Sequence, residues 1–165
     1  MRLEKIRIGH IVGVHGIRGE VKVQPRDRDP AFLERFQAFY LDGKAPPLTV
    51  ASFRAHKGLA MLKFSGVEDR DAAMALRDQN LYILRDEAGL PDGEYFDDEL
   101  LGLDVYDGET GECVGELVRV EDYPASKVYT VQGVKEYLIP AVKDAFILGV
   151  DMDANRMEVR IWEGM

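Results

Sequence analysis

The chain has 165 residues and a net charge of −9, with 46% hydrophobic and 31% charged residues, a balance that excludes the disordered and fibrous classes. Its lone cysteine excludes an internal disulfide, and no apolar run approaches the roughly 20 residues that span a bilayer. Met1–Lys5 leads straight into a strand pattern with no signal-peptide core, so a cytoplasmic protein away from membranes is expected, with Cys113 as a buried structural thiol.

Six strands are predicted in the first half, over 5–12, 19–24, 38–41, 48–54, 59–64 and 81–84, each rich in Val, Ile, Phe, Tyr or Leu. Between the first two, glycines at 9, 13, 16 and 19 punctuate β-branched residues, where a sharply bent connection needs positive φ or close backbone approach. Val21 and Val23 alternate with Glu20, Lys22 and Gln24, so the second strand displays charge outward. Asp29-Pro30 reads as an N-cap followed by a first-turn proline, with Phe32, Leu33 and Phe36 on one side of a short helix. A second helix is expected from Asp69 to Arg77, closing one mouth of a small barrel.

Residues 86–93, rich in Gly, Pro and acids, mark a linker between a first domain over 1–85 and a second over 94–165. The charge balance changes sign there. Up to Arg85 there are 15 basic and 10 acidic residues, and beyond it 6 and 20. The first half suits phosphate or an acidic partner and the second a basic protein, unless the two are simply solvated surfaces that differ. The second half alternates through 103–106, turns at Asp107–Gly111, and resumes over 113–121. Further strands over 127–131, 137–139, 146–150 and 157–161 are separated by short turns. So many short strands in about 70 residues favour a second small barrel, making the chain mainly β with two joined barrels.

Catalytic machinery is not evident. Gly13-x-x-Gly16-x-x-Gly19 lacks the Lys-Ser/Thr of a phosphate loop and the spacing of a dinucleotide site. Asp151–Asn155 begins like a calcium loop, but Arg156 and Trp162 stand where that loop needs glycine and glutamate, so a hairpin turn is expected. His10, His15 and His56 have no metal-ligand spacing, and Asp97, Asp98 and Glu99 are explained by helix capping after Tyr95-Phe96. No catalytic residue, metal or cofactor is therefore assigned. Arg18, Lys22, Arg26 and Arg28 form the densest basic run. With His15 on the adjoining turn, they are candidate phosphate contacts that position without reading bases. Tyr95 and Phe96 are candidate anchors at a protein interface or packing between the two domains.

The run from Ile8 to Val23 resembles the opening signature of the RimM family of bacterial ribosome maturation factors. His56-Lys57-Gly58, the run from Phe64 to Ala73, and Leu76 resemble the remainder of that family's N-terminal domain. Leu100–Val105, Gly115, Leu138-Ile139-Pro140 and Val150-Asp151 resemble its PRC-barrel domain. The resemblance implies a six-stranded barrel similar to those of translation factors and some flavin reductases, followed by a PRC barrel. It implies a non-enzymatic, chaperone-like assembly factor that binds the immature 30S subunit head through small-subunit ribosomal protein nineteen and supports maturation of the 3′ domain of 16S rRNA. A monomer without cofactor is expected. In that family two tyrosines open the PRC domain and are implicated in the ribosomal-protein contact; here the positions read Tyr95-Phe96, so the second hydroxyl is missing. A flavin-dependent enzyme on a related barrel and a general RNA-binding module are the rival readings.

Overall fold

A computed structural model describes residues 3–165, which divide into one unit over Glu4–Gly89 and a second containing Leu90–Met165. In the first unit the strands are β1 (Lys5–His15), β2 (Glu20–Pro25), β3 (Ala38–Leu41), β4 (Lys44–His56), β5 (Leu59–Phe64) and β6 (Asn80–Leu84). They close into a barrel in the order β1-β2-β5-β4-β3-β6. Ile11 and Val14 both point inward although three residues apart, which strict alternation forbids. A bulge between Ile11 and Gly13 absorbs the extra residue and turns Val12 out. β4 is longer than predicted, extending from Lys44 to His56, which pairs with Leu59 beside the two-residue turn.

Asp29 caps a 3-10 helix over Pro30–Arg35, its carboxylate accepting the Phe32 amide at 3.1 Å. Phe32, Phe36, Phe39 and Phe64 then stack edge to face or tilted, with ring centroids 5.5, 5.8 and 6.5 Å apart, and fill the barrel core. The second helix is shorter than expected: α1 covers Arg70–Met74, capped by Asp69, whose side chain accepts the Ala72 amide at 2.8 Å. Past Met74 the chain tightens into i→i−3 bonds, Leu76 to Ala73 and Arg77 to Met74, and Asp78 takes positive φ, ending the helix. A 3-10 turn over Arg85–Glu87 follows β6, and the buried Ala88 accepts a bond from Arg35.

The second unit begins with α2 (Asp97–Leu100) and continues through β7 (Asp104–Asp107), β8 (Cys113–Asp122), β9 (Lys127–Gln132), β10 (Glu136–Pro140), β11 (Ile147–Asp151) and β12 (Arg156–Val159). Their order is β10-β9-β8-β7-β12-β11, with β12 and β7 parallel and the outer strands β10 and β11 not paired to each other. Leu103, Val105, Leu117, Val131, Ile139, Met157 and Val159 form its core. Asp151–Asn155 is the β11–β12 hairpin turn, with Asp151 accepting the Ala154 amide at 3.0 Å. Cys113 corrects an expectation: it is exposed, because a bulge at Val114 packs that valine against the core and leaves the thiol outside.

Candidate functional site

The barrel's register assembles a basic face that linear spacing conceals. Glu20 lies opposite His15 on β1 and Lys63 on β5. Lys22 lies opposite Gly13 and Met61, and Met61 opposite Arg54 on β4. His15, Glu20, Lys22, Lys63 and Arg54 therefore share the outer face of four adjacent strands. Glu20 cancels one charge of this face, that of Arg54. Arg54 grips both its oxygens, at 3.1 and 3.3 Å. That hydrogen bond holds the Glu20 carboxyl below its ordinary value despite opposing desolvation, helped by the charges of Arg54, His15 and Arg18. Lys63 is committed locally, donating to the carbonyls of Val67 and Phe64 and pairing with Glu68 at 3.3 Å. The side chains of Arg18 and Lys22 enter no ion pair or hydrogen bond among the described residues.

The predicted basic run is split by the length of β2, roughly 20 Å for six residues at about 3.3 Å each. His15, Arg18 and Lys22 belong with the β1–β2 turn. Arg26 and Arg28 follow the far end of the strand, where Arg28 pairs with Asp27 at 3.0 Å and lies over the Phe32 ring. The antiparallel register brings the β4–β5 turn, with Lys57 at positive φ, toward that same far end. The result is a strip: Arg18 at one end, Lys22 and Arg54 in the middle, Lys57 and Arg26 at the other. Among the glycines, Gly19 has φ +96° and an added Cβ would lie 2.2 Å from the Val67 carbonyl oxygen. Gly13 has neither positive φ nor a neighbour within 4 Å. Sequence reasoning missed Arg70, whose guanidinium donates to the Gly16 carbonyl at 3.1 Å across 54 residues.

In the second unit Tyr95 and Phe96 lead into α2 and play different roles. Phe96 is 1% exposed, so its ring is an internal support. Tyr95 is partly buried against the core and lines a pocket of about 260 Å³ with Leu100, Tyr129, Ile147, Leu148 and Val150, beside Lys143. Two polar locks hold this approach in place. The Glu99 carboxylate, 3% exposed, accepts the Phe96 amide at 3.0 Å. Asp97 receives Lys127 from β9 at 2.7 and 2.9 Å. The pocket is thus a mainly apolar socket lined by the edge strand β11, able to take one protruding side chain. The two units differ in charge: from Leu90 onward there are 18 acidic and 6 basic residues, against 12 and 14 in Glu4–Gly89. No group of three or more His, Cys, Asp or Glu among the described residues is placed to hold a metal ion.

Comparison with known proteins agrees with both halves of this architecture. The family model of the RimM N-terminal domain matches residues 6–88, and that of the RimM PRC barrel domain matches residues 97–165. The chain is similar to a ribosome maturation factor RimM of Finegoldia magna, 33% identical over 99% of this chain and 100% of that one. It is also similar to one of Symbiobacterium thermophilum, 35% identical over 96% of this chain and 92% of the relative. A crystal structure of a 16S ribosomal RNA processing protein RimM from Pseudomonas aeruginosa is 29% identical, covers 96% of this chain and 98% of its own, and has a TM-score of 0.48. With two successive domain models matched and full-length relatives a third identical, the chain belongs to the ribosome maturation factor RimM family.

Proposed function

We propose that the protein is a non-enzymatic assembly factor that binds the head of the immature 30S subunit through small-subunit ribosomal protein nineteen, while its first barrel lies along nearby 16S rRNA. It acts in the cytoplasm as a monomer without a cofactor. The observation that carries this reading is the Tyr95 socket, an apolar cavity set in a unit with a threefold excess of acidic over basic residues. Such a surface suits a basic protein that inserts an apolar anchor. Charge attracts and orients the partner, while the desolvated pocket supplies the bulk of the affinity. Phe96 lacks the second hydroxyl of the family's tyrosine pair and is buried, so it offers the partner no side-chain hydrogen bond.

The basic strip on β2, β5 and β4 supports the rRNA contact. Its cations are spread along a face, a placement suited to successive phosphates and not to reading bases. A factor of this kind promotes assembly only if it binds the immature particle more tightly than the mature one, since equal binding shifts no equilibrium.

Titrating purified small-subunit ribosomal protein nineteen against the wild type and Tyr95→Ala tests the socket. An affinity loss of about tenfold or more at unchanged melting temperature is expected. Equal affinities would remove Tyr95 and its pocket from the interface.

A further inference from the structure

Four residues, 16–19, join β1 to β2, and at their tip Ile17 is 78% exposed, the most exposed large apolar side chain described in the first unit. Isolated exposed aliphatics are ordinary on protein surfaces and carry no meaning by themselves. What distinguishes Ile17 is the rigidity of its mounting. On one side the Gly16 carbonyl is held by the Arg70 guanidinium at 3.1 Å. On the other, Gly19 lies against the Val67 backbone so closely that a Cβ has no room. The segment carrying Val67 is itself fixed by Lys63, which donates to the Val67 carbonyl, and by the Asp69 cap of α1. Hairpin tips free of such anchors are mobile, whereas this one is tied at both ends to the start of a helix.

We infer that Ile17 is an apolar contact for an unpaired rRNA base and that Arg70 is the positioning residue that fixes the tip. This inference rests on the reading of the basic strip as an rRNA-facing surface. The surroundings favour RNA as the occupant, because Arg18 adjoins Ile17 without an ion-pair partner and Lys22 continues the positive face behind it. Unpaired bases offer apolar faces that a paired helix keeps stacked, and they are displayed in loops and bulges of the kind immature rRNA retains. An aliphatic side chain placed against such a face excludes water without reading sequence, while the flanking cations engage the phosphates on either side.

A transcript of the 16S rRNA 3′ domain, titrated at several salt concentrations with the full chain and its variants, separates these roles. Ile17→Ser should weaken binding about tenfold, the low end for withdrawing a buried aliphatic side chain, with no change in the slope of log Kd against log salt. Arg18→Gln should weaken binding and also reduce that slope by about 0.7, the share of one phosphate contact on a single strand. Arg70→Gln should accelerate amide exchange at residues 16–19, weaken binding like Ile17→Ser, and add nothing further when combined with it. Each variant is first checked for an unchanged melting temperature, and Ile17→Gln replaces the serine variant if that one melts early. Binding by Ile17→Ser within twofold of wild type overturns the inference. If Arg18→Gln is also within twofold, the rRNA reading of the strip fails with it. Loss of affinity for isolated small-subunit ribosomal protein nineteen in place of RNA would overturn the assignment of the occupant.

Discussion

Three glycines of the first hairpin, at 13, 16 and 19, should respond to alanine in a graded order that geometry alone dictates. At Gly19 the new Cβ would sit 2.2 Å from the Val67 carbonyl oxygen and 2.9 Å from its carbon, with φ at +96°. Backbone stands on both sides of that contact, so neither can rotate away. Left-handed φ costs an L-residue about 1–2 kcal/mol, and displacing the 67–69 segment adds about 1–3 kcal/mol, for a loss of roughly 2–5 kcal/mol. Gly16 has φ +66° but open space around it, so Gly16→Ala should cost only about 1 kcal/mol. Gly13 has neither constraint, and Gly13→Ala should be neutral or stabilising by up to about 1 kcal/mol through the unfolded chain. The chain's single tryptophan, Trp162, lies in the second unit, so its fluorescence does not report on this barrel. Amide exchange in β1 and β2 with far-UV circular dichroism in urea reads the effect directly. A Gly19→Ala protein as stable as Gly16→Ala would refute the claim that the tip is clamped on Val67.

Phe96→Ala should destabilise the protein by about 3–5 kcal/mol in urea titrations, because it empties a buried ring. Binding lost in a Tyr95/Phe96 double variant would therefore mix folding with recognition, and the single Tyr95 change is the informative one. Asp97→Asn removes one half of a short, partly buried ion pair with Lys127 and should cost about 1–3 kcal/mol, with loosening of Tyr95 visible as increased amide exchange at 94–97. The folded Glu20 carboxyl lies below its ordinary 4.5, so the stability it contributes is present above the unfolded pKa and disappears as pH falls through the folded one. Arg54→Met should then lower stability only slightly near neutrality, the pair being so exposed, and the difference from wild type should vanish once Glu20 is protonated in both states. A wild-type-sized difference persisting in strong acid would show that the arginine acts through packing.

Strands were the most legible elements, because β-branched and aromatic residues alternate visibly and turns carry Gly, Asp or Asn. All six strands of each unit fall within a few residues of where alternation placed them, the exception being β4, whose first residues Lys44–Pro47 carry no strand signal and are recruited by pairing with Leu41. Bulges were illegible: Val12 and Val114 each reverse the facing of their neighbours, which is why Cys113 ended outside. The parallel pairing of β12 with β7 also left no local trace, since it joins residues about fifty apart. The candidate sites followed the same division. Tyr95 stood out by type and position, but its socket draws on Tyr129 and Leu148, contributed by strands far along the chain. The basic residues were legible as charges but not their arrangement along a strip, because sequence spacing takes no account of the length of β2 or of the register that returns Lys57 to its far end.

A chaperone-like assembly factor must distinguish an unfinished particle from a finished one, and that difference is measurable in a single titration. Fluorescently labelled protein is titrated with 30S precursors and with mature 30S subunits in the same buffer and salt. Affinity at least tenfold higher for the precursors is expected, a differential of about 1.4 kcal/mol that biases assembly. Equal affinity for the two particles, or no binding to either, would contradict a role in maturation through reversible grip on the immature head.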